Sequence, residues 1–173
     1  SFEKVPGTIV KEENTVEKML IRGIARDNDV ARIALVNIDD KPGKAFQIFS
    51  ILAKKKINVD VILQSIGRDG SKDISFTVSA DDLETALNII NENNAIIGAE
   101  KVIHDENVSK VSVVGAGMTS NPGVAALMFE ALYDAGINIQ MISTSEIRVS
   151  VLIDRKDAEN AVRAIHSKFE LNN

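Results

Sequence analysis

The 173-residue sequence contains no cysteine. This absence excludes a disulfide scaffold, a thiol nucleophile and a zinc site built on thiolates. Histidine is scarce as well, since His104 and His166 stand alone with no second ligand at the spacing that a metal site requires. We interpret them as a residue at a strand end and a residue on a helix surface, and we predict neither a metal nor a cofactor.

Aromatic residues are few and tryptophan is absent, so the chain has little with which to stack on single-stranded bases. The net charge of −5 has the wrong sign for a surface that follows phosphates. No apolar run approaches the length of a membrane span, and no signal-peptide pattern opens the sequence. We therefore predict a cytoplasmic protein that binds neither nucleic acid nor membranes.

Two related copies of one segment are present. Pro42-Gly43 recurs as Pro122-Gly123, and Ile57-Asn58 recurs as Ile137-Asn138, both at the same offset. Apolar residues at helical spacing follow each Pro-Gly pair. Matched anchors with a matched helix between them indicate an internal duplication.

Each copy has the pattern strand, helix, strand, strand, helix. In the first copy we expect strands at residues 32–38, 58–65, 74–78 and 95–104, and helices at residues 42–56 and from residue 81 onward. In the second copy we expect strands at residues 111–115, 138–144 and 147–153, and helices from residue 122 onward and at residues 157–168. The first copy is thus βαββαβ, whereas the second lacks a sixth element.

An unassigned apolar segment, residues 19–25, precedes the first copy. A sheet of three strands in the second copy would leave one edge unpaired. We therefore predict that residues 19–25 cross over to complete the second sheet. The predicted fold class is α+β, with two tandem ferredoxin-like modules that are intertwined, so that independent folding of either one is doubtful.

The loop between the first strand and the first helix is the most informative site. Its sequence, DDKPGKA from Asp39 to Ala45, places free backbone N–H groups at a helix N-terminus, where they attract a carboxylate. The Asp40 carboxylate beside them is suited to an ammonium group, so the loop has the features that recognition of a free α-amino acid requires. The alternative is that Asp39 and Asp40 only cap the helix.

The corresponding loop of the second copy begins with Gly115 and Gly117 but has Ser120 where a dinucleotide-binding loop needs a third glycine. We interpret it as a flexible loop that enters a helix, with Thr119 or Ser120 as the capping residue. No nucleophile with an adjacent base is found anywhere in the sequence, so we predict no catalytic residue.

Several stretches together resemble the tandem ACT domains of the aspartate kinase family: DKPGKA, INVDVILQ, VGAGMTSNPGVA and INIQMISTSEIRVSVLI. The resemblance extends over residues 19–169. It implies a tail of the kinase domain at residues 1–18, a strand of the second ACT domain at residues 19–26, a first ACT domain at residues 30–105 and a second at residues 106–173. The kinase domain is missing, so the resemblance implies a regulatory region or a separate regulatory subunit.

By this resemblance, the chain would bind an end-product amino acid, L-threonine or L-lysine or both, and inhibit aspartate phosphorylation in the pathway to lysine, threonine and methionine. The family's contacts in the first module match Asp40, Lys41, Pro42, Gly43, Lys44, Ala45, Ile57, Asn58, Asp60 and Gln64. Across a homodimer interface, the partner chain's second module would supply Asn138, Ile139 and Ser145, with Ala125 nearby. A catalytic aspartate kinase subunit or domain is the other implied partner.

The two copies differ at these positions. Ser120 stands in place of Asp40 and Gln140 in place of Asp60, so the second copy lacks the carboxylates that an ammonium group needs. We therefore expect the loop of the first module to dominate recognition. Gln64 can donate and accept hydrogen bonds, which suits a hydroxyl-bearing effector such as threonine.

Other classes of function stay open on the residues alone. An interaction module that binds the catalytic subunit and no small molecule would show an exposed apolar surface and closed loops. A ferredoxin-like nucleic-acid binder is disfavoured by the charge and the scarcity of aromatics, and a small enzyme on this fold by the absence of a nucleophile.

Overall fold

The structure, a computed structural model, describes residues 21–115 and 121–171, with side chains to residue 169. The predicted tail at residues 1–18, the first two residues of the crossing strand, and the capping residues Thr119 and Ser120 lie outside the described residues. In chain order the elements are β1 (Ile21–Asp27), β2 (Ala31–Asp39), α1 (Lys44–Lys54), β3 (Ile62–Gln64), β4 (Ser71–Val78), α2 (Leu83–Glu92), α3 (Asn94–Ile97), β5 (Lys101–Asp105), β6 (Val108–Gly115), α4 (Pro122–Asp134), β7 (Ile139–Thr144), β8 (Arg148–Asp154) and α5 (Ala158–Leu171).

The first module is a four-stranded antiparallel sheet in the order β3-β4-β2-β5, with its helices on one face. The strand predicted at residues 74–78 is confirmed as part of β4, and its Ile74, Phe76 and Val78 are all buried against the helices. Helix α1 contributes Ile48 and Leu52 to the same core at the spacing of one helix face.

The second module has the sheet order β1-β6-β8-β7, so the strand that precedes the first module completes the second sheet. β1 runs antiparallel to β6 with Ile24 opposite Val113. Ile21 and Ile24 pack against the second core, whose centre includes the fully buried Met128 and Leu132 of α4. The predicted fold class and the crossing of this strand are confirmed.

Three local predictions are wrong. Helix α1 begins at Lys44 rather than at Pro42, because Gly43 has φ +88° and cannot belong to the helix, whereas α4 does begin at Pro122. Residues 95–97 are part of the short helix α3 instead of a strand, and Gly98 ends that helix with φ +72°. β3 is confined to three residues, so the segment from Asn58 lies before the strand.

A tight turn joins β3 to β4. Arg68 and Ser71 exchange two backbone hydrogen bonds across Asp69 and Gly70, which both have positive φ. Two positive φ values are the mark of a type I′ turn, and Asp-Gly is one of the pairs that favours it.

The two modules are in contact through a small apolar seam. Val61, which precedes β3 in the first module, packs against a cluster formed by Val30, Val108, Met141 and Leu152. Val30 lies in the connection between β1 and β2, and the other three belong to the second module. Within the described ranges, no helix combines the length and the apolar character that a membrane crossing demands.

Candidate functional site

The predicted loop of the first module holds Asp40 in a defined position. Its Oδ1 accepts the ammonium of Lys72 at 3.0 Å, and the Lys72 side chain is 9% exposed while that of Asp40 is 43% exposed. The other carboxylate oxygen lies over Gly67, where a Cβ would stand only 2.1 Å from it. Lys72 and Gly67 together leave the Asp40 carboxylate fixed and open to solvent on one side.

The N-terminus of α1 comes four residues after Asp40, and no described side chain caps it. Asp39 instead pairs with Lys41 at 3.0 Å, and Asp40 pairs with Lys72. The alternative that the two aspartates merely cap the helix is therefore wrong. The backbone N–H groups of Ala45 and Phe46 have no acceptor among the described residues, so they remain able to bind a carboxylate.

Lys44 belongs to the loop in sequence but its side chain is directed elsewhere. Its ammonium donates to the carbonyl oxygens of Ile96 at 2.9 Å and Ile97 at 3.2 Å. A cation at these carbonyls compensates the C-terminal end of α3. Lys44 thus ties the start of α1 to α3, and this use of its charge competes with any contact to a ligand.

The first-module residues of the predicted site fall into two groups at opposite ends of the sheet. Asp40 bonds to Gly70 at one end of β4, whereas Asp60 bonds to Thr77 at the other. This stretch of strand is about 20 Å long. Gln64, on the exposed edge strand β3, is paired with Ile74, near the middle of this stretch.

The second group, Ile57, Asn58 and Asp60, surrounds the start of the segment that leads into β3. Ile57 is part of the core, whereas Asn58 and Asp60 line a cleft of about 530 Å³ at the seam between the modules. The Asp60 carboxylate forms an ion pair with Lys110 of β6. No sequence pattern had pointed to Lys110.

The second-module residues are likewise split between two ends. Asn138 and Ile139 lie at the beginning of β7, and Ser145 lies in the turn at its end. Ala125 is half-buried in the first turns of α4. No hydrogen bond or ion pair among the described residues links these four to the first-module group within one chain.

The ion pair with Lys41 predicts a lowered pKa for the Asp39 carboxyl. The hydrogen bond from Lys41, with the charge of that ammonium, holds the pKa of the Asp39 carboxyl below its usual range. Because this pKa is lowered on folding, any stabilisation by the pair is present at neutral pH and is lost as the pH falls through the lowered pKa. In the variant Lys41→Met, the carboxyl resonance of Asp39 should titrate at a higher pH by NMR. An unchanged midpoint would contradict the assignment to Lys41.

Two duplicated ferredoxin-like modules, the first with an open helix N-terminus beside a fixed carboxylate, define the chain as a tandem ACT-domain protein. The ACT domain profile matches residues 33–93 and 111–169, one match in each module. The strand order of both sheets agrees with this class.

The solved structures narrow the class further. A solved structure of aspartokinase alpha and beta subunits contains a chain that is 49% identical to this one, with a TM-score of 0.81. The match covers 99% of that chain and 87% of this one. This chain is also 41% identical, with a TM-score of 0.83 and the same coverage, to the regulatory subunit of aspartate kinase from Thermus thermophilus. The chain belongs to the aspartate kinase family, as an ACT-domain regulatory region. The kinase domain is not among these residues.

The chain spans less than half the length of a curated relative that it matches. Against the aspartokinase of Pseudomonas aeruginosa the chain is 47% identical over 99% of its own residues, but it spans only 42% of that relative. A distant structure, Escherichia coli aspartokinase III in complex with lysine and aspartate, is 23% identical with a TM-score of 0.64, over 87% of this chain and 33% of that one. That likeness concerns the fold.

Proposed function

We propose that the chain is an allosteric sensor that binds an end-product amino acid, threonine or lysine or both, and thereby feedback-inhibits an aspartate kinase. The observation that carries the proposal is the loop before α1. The free N–H groups of Ala45 and Phe46 follow Asp40 closely along the chain, and Lys72 fixes the Asp40 carboxylate in place. The N–H groups suit the carboxylate of an amino acid, and Asp40 suits its ammonium.

The site needs a second copy of the chain to be closed. Phe46, in the first turn of α1, is 77% exposed, and Ile66, just after β3, is 90% exposed. The edge strands β3 and β7 also carry exposed apolar residues. Exposed apolar residues on edge strands favour pairing with another chain. We expect a homodimer in which β3 of one protomer lies next to β7 of the other.

An antiparallel arrangement of these strands accounts for the split of the predicted residues. The end of β3 that carries Gln64 would then lie opposite the start of the partner's β7, where Asn138 and Ile139 lie. The segment with Asp60 would lie opposite the other end of that strand, near Ser145. Each group from one protomer would thus be completed by one group from the other.

Inhibition follows if the effector favours one arrangement of the dimer. A ligand shifts an equilibrium only through different affinities for its two states, and a coupling of about 1–3 kcal/mol is ordinary for such a system. The catalytic aspartate kinase subunit or domain would respond to the arrangement of the dimer. The relative composed of alpha and beta subunits supports this mode of assembly.

Calorimetric titration of the purified chain with L-threonine and L-lysine, singly and together, tests the proposal. Lysine is included because E. coli aspartokinase III binds it. We expect saturable binding of at least one amino acid, accompanied by a shift from monomer to dimer in the mass measured in solution. D-threonine, in which the ammonium and the side chain exchange places, serves as the control and should bind much more weakly.

The alternative function, an interaction module that takes no small molecule, draws on the same exposed apolar residues. It would be favoured if neither amino acid bound to the chain while the chain still assembled with the catalytic subunit. Equal affinity for D- and L-threonine would contradict a site built from the Asp40 carboxylate and the N–H groups of α1.

A further inference from the structure

At the seam between the two modules, one lysine has a carboxylate from each module near it. Lys110 of β6 pairs with Asp60 of the first module, and its side chain is only 13% exposed. Asp27, directly opposite Lys110 on the neighbouring strand β1, makes no ion pair with a described residue. Asp27 belongs to the sheet of the second module.

The first of these pairings joins the modules. The Asp60 N–H donates to the Thr77 carbonyl, and Val61, the next residue, exchanges two bonds with Thr77, one of them to Oγ1 at 3.0 Å. Val61 also packs in the apolar seam. Lys110 therefore holds the segment before β3 against the second module.

The second pairing is sterically accessible. Asp27, Asp60 and Lys110 line the same cleft of about 530 Å³, so the long side chain of Lys110 has room to turn from one carboxylate to the other. Together with Met141 and Ser150, Lys110 also borders a second space, of only about 10 Å³. Opposite charges on directly facing residues of adjacent strands attract each other, so a Lys110–Asp27 pair would itself be stable.

We infer that Lys110 is a positioning residue that switches between Asp60 and Asp27 and so couples the first module's effector site to the second module. The connection to that site is β3: Gln64 lies at one end of this strand and Asp60 precedes the other. A displacement of β3 on effector binding is transmitted to Asp60 and changes the balance between the two pairings. This inference rests on the proposed function, because it assumes that an amino acid binds at the Asp40 end.

Amide hydrogen exchange measured by NMR on the 173-residue chain, with and without saturating L-threonine or L-lysine, tests the switch. The residues observed are Val61 in the first module and Lys110–Val113 in β6. In the unchanged chain the effector should alter exchange at both places. β6 is informative because none of its residues is among those expected to touch an effector.

The variants Lys110→Met and Asp27→Asn separate the two pairings. The first removes the cation that both pairings share, and the second removes only the charge of Asp27. Without effector, Lys110→Met should raise Val61 exchange about fivefold, the size expected for loss of one ion pair, whereas Asp27→Asn should leave it unchanged or slower. Both variants should lose the effector's influence on β6, because Lys110→Met has neither pairing and Asp27→Asn has only the pairing with Asp60. Both should still bind the effector. Lys101→Met, on the exposed strand β5, is the matched control and should behave as the unchanged chain.

Each other result has a defined meaning. An effector response at β6 that persists in Lys110→Met, or that is absent from the unchanged chain although the amino acid binds, would overturn the coupling. Unchanged Val61 exchange in Lys110→Met without effector would overturn the ion pair as the joint. If neither amino acid binds the unchanged chain, the proposed function and the coupling both fall, while the Val61 measurement still decides whether Lys110 joins the modules.

Discussion

Replacing Asp40 by alanine should weaken binding of the amino-acid effector by at least about tenfold. Charge-assisted hydrogen bonds contribute about 1.5–3 kcal/mol, which corresponds to roughly a 10- to 100-fold change in affinity. The substitution removes the carboxylate that would receive the ligand ammonium. It also leaves the Lys72 ammonium, 9% exposed, without its partner next to the site, where it would repel that ammonium. Calorimetric titration of the variant measures the loss.

Two further variants make this result specific. Gly67→Ala should also weaken binding, because the new methyl group would stand 2.1 Å from the Asp40 carboxylate and displace it. Asp39→Ala serves as the control: Asp39 is exposed and its sole ion-pair partner among the described residues is Lys41, so its loss should change the affinity less than twofold. Unchanged affinity in Asp40→Ala, or an equal loss in Asp39→Ala, would refute the placement of the ammonium.

The second large effect concerns β1, whose Ile24 packs in the core of the second module although it precedes the first. Ile24→Asp should lower the free energy of unfolding of the second module by about 2–4 kcal/mol, since a charge would replace an apolar contact opposite Val113. Urea unfolding gives the size of the effect. Hydrogen exchange should show it in β6 and β8 and leave β2 and β4 protected.

Ala25 provides the matched control for this substitution. It is the next residue of β1, it is exposed, and its side chain points to the other face of the sheet. Ala25→Asp adds the same charge and should change the free energy of unfolding by no more than about 0.5 kcal/mol. Equal destabilisation by the two variants, or faster exchange in β2 rather than β6, would contradict the assignment of β1 to the second core.

Periodicity predicted the elements whose burial repeats regularly. Ile74, Phe76 and Val78 alternate in sequence and are buried in the structure, and the missing sixth element of the second copy correctly indicated that β1 crosses over. The same Pro-Gly pair, by contrast, gave two different helix starts. Gly43 adopts a positive φ, and a dipeptide does not encode which of its permitted conformations glycine takes.

For the short apolar segment before β5, the sequence pattern also does not decide the conformation. Ala95, Ile96 and Ile97 fit a strand or a helix equally well by pattern. The decision comes from Asn94, whose side chain bonds to both backbone groups of Ala99 and closes the turn. Such a closure is visible only once the chain is folded.

Only part of the candidate site could be predicted from the sequence, because some of its contacts join residues that are far apart along the chain. The loop with Asp40 follows from local sequence, because donors at a helix start and a neighbouring carboxylate are close along the chain. Lys72 and Lys110, which hold Asp40 and Asp60, come from distant strands. Their roles depend on strand register, and a single sequence does not show which lysine will face which carboxylate.

The position of β1 also has a consequence during synthesis. β1 leaves the ribosome before the first module, but its partner Val113 follows roughly 90 residues later, which is about 5–18 s at ordinary translation rates. Over that interval β1 has no strand of the second module to pair with, and Ile21 and Ile24 are not yet covered by that module's core. The nascent chain is then exposed to pairing with its neighbours on the same messenger, so the order of the strands makes the speed of translation a determinant of correct assembly.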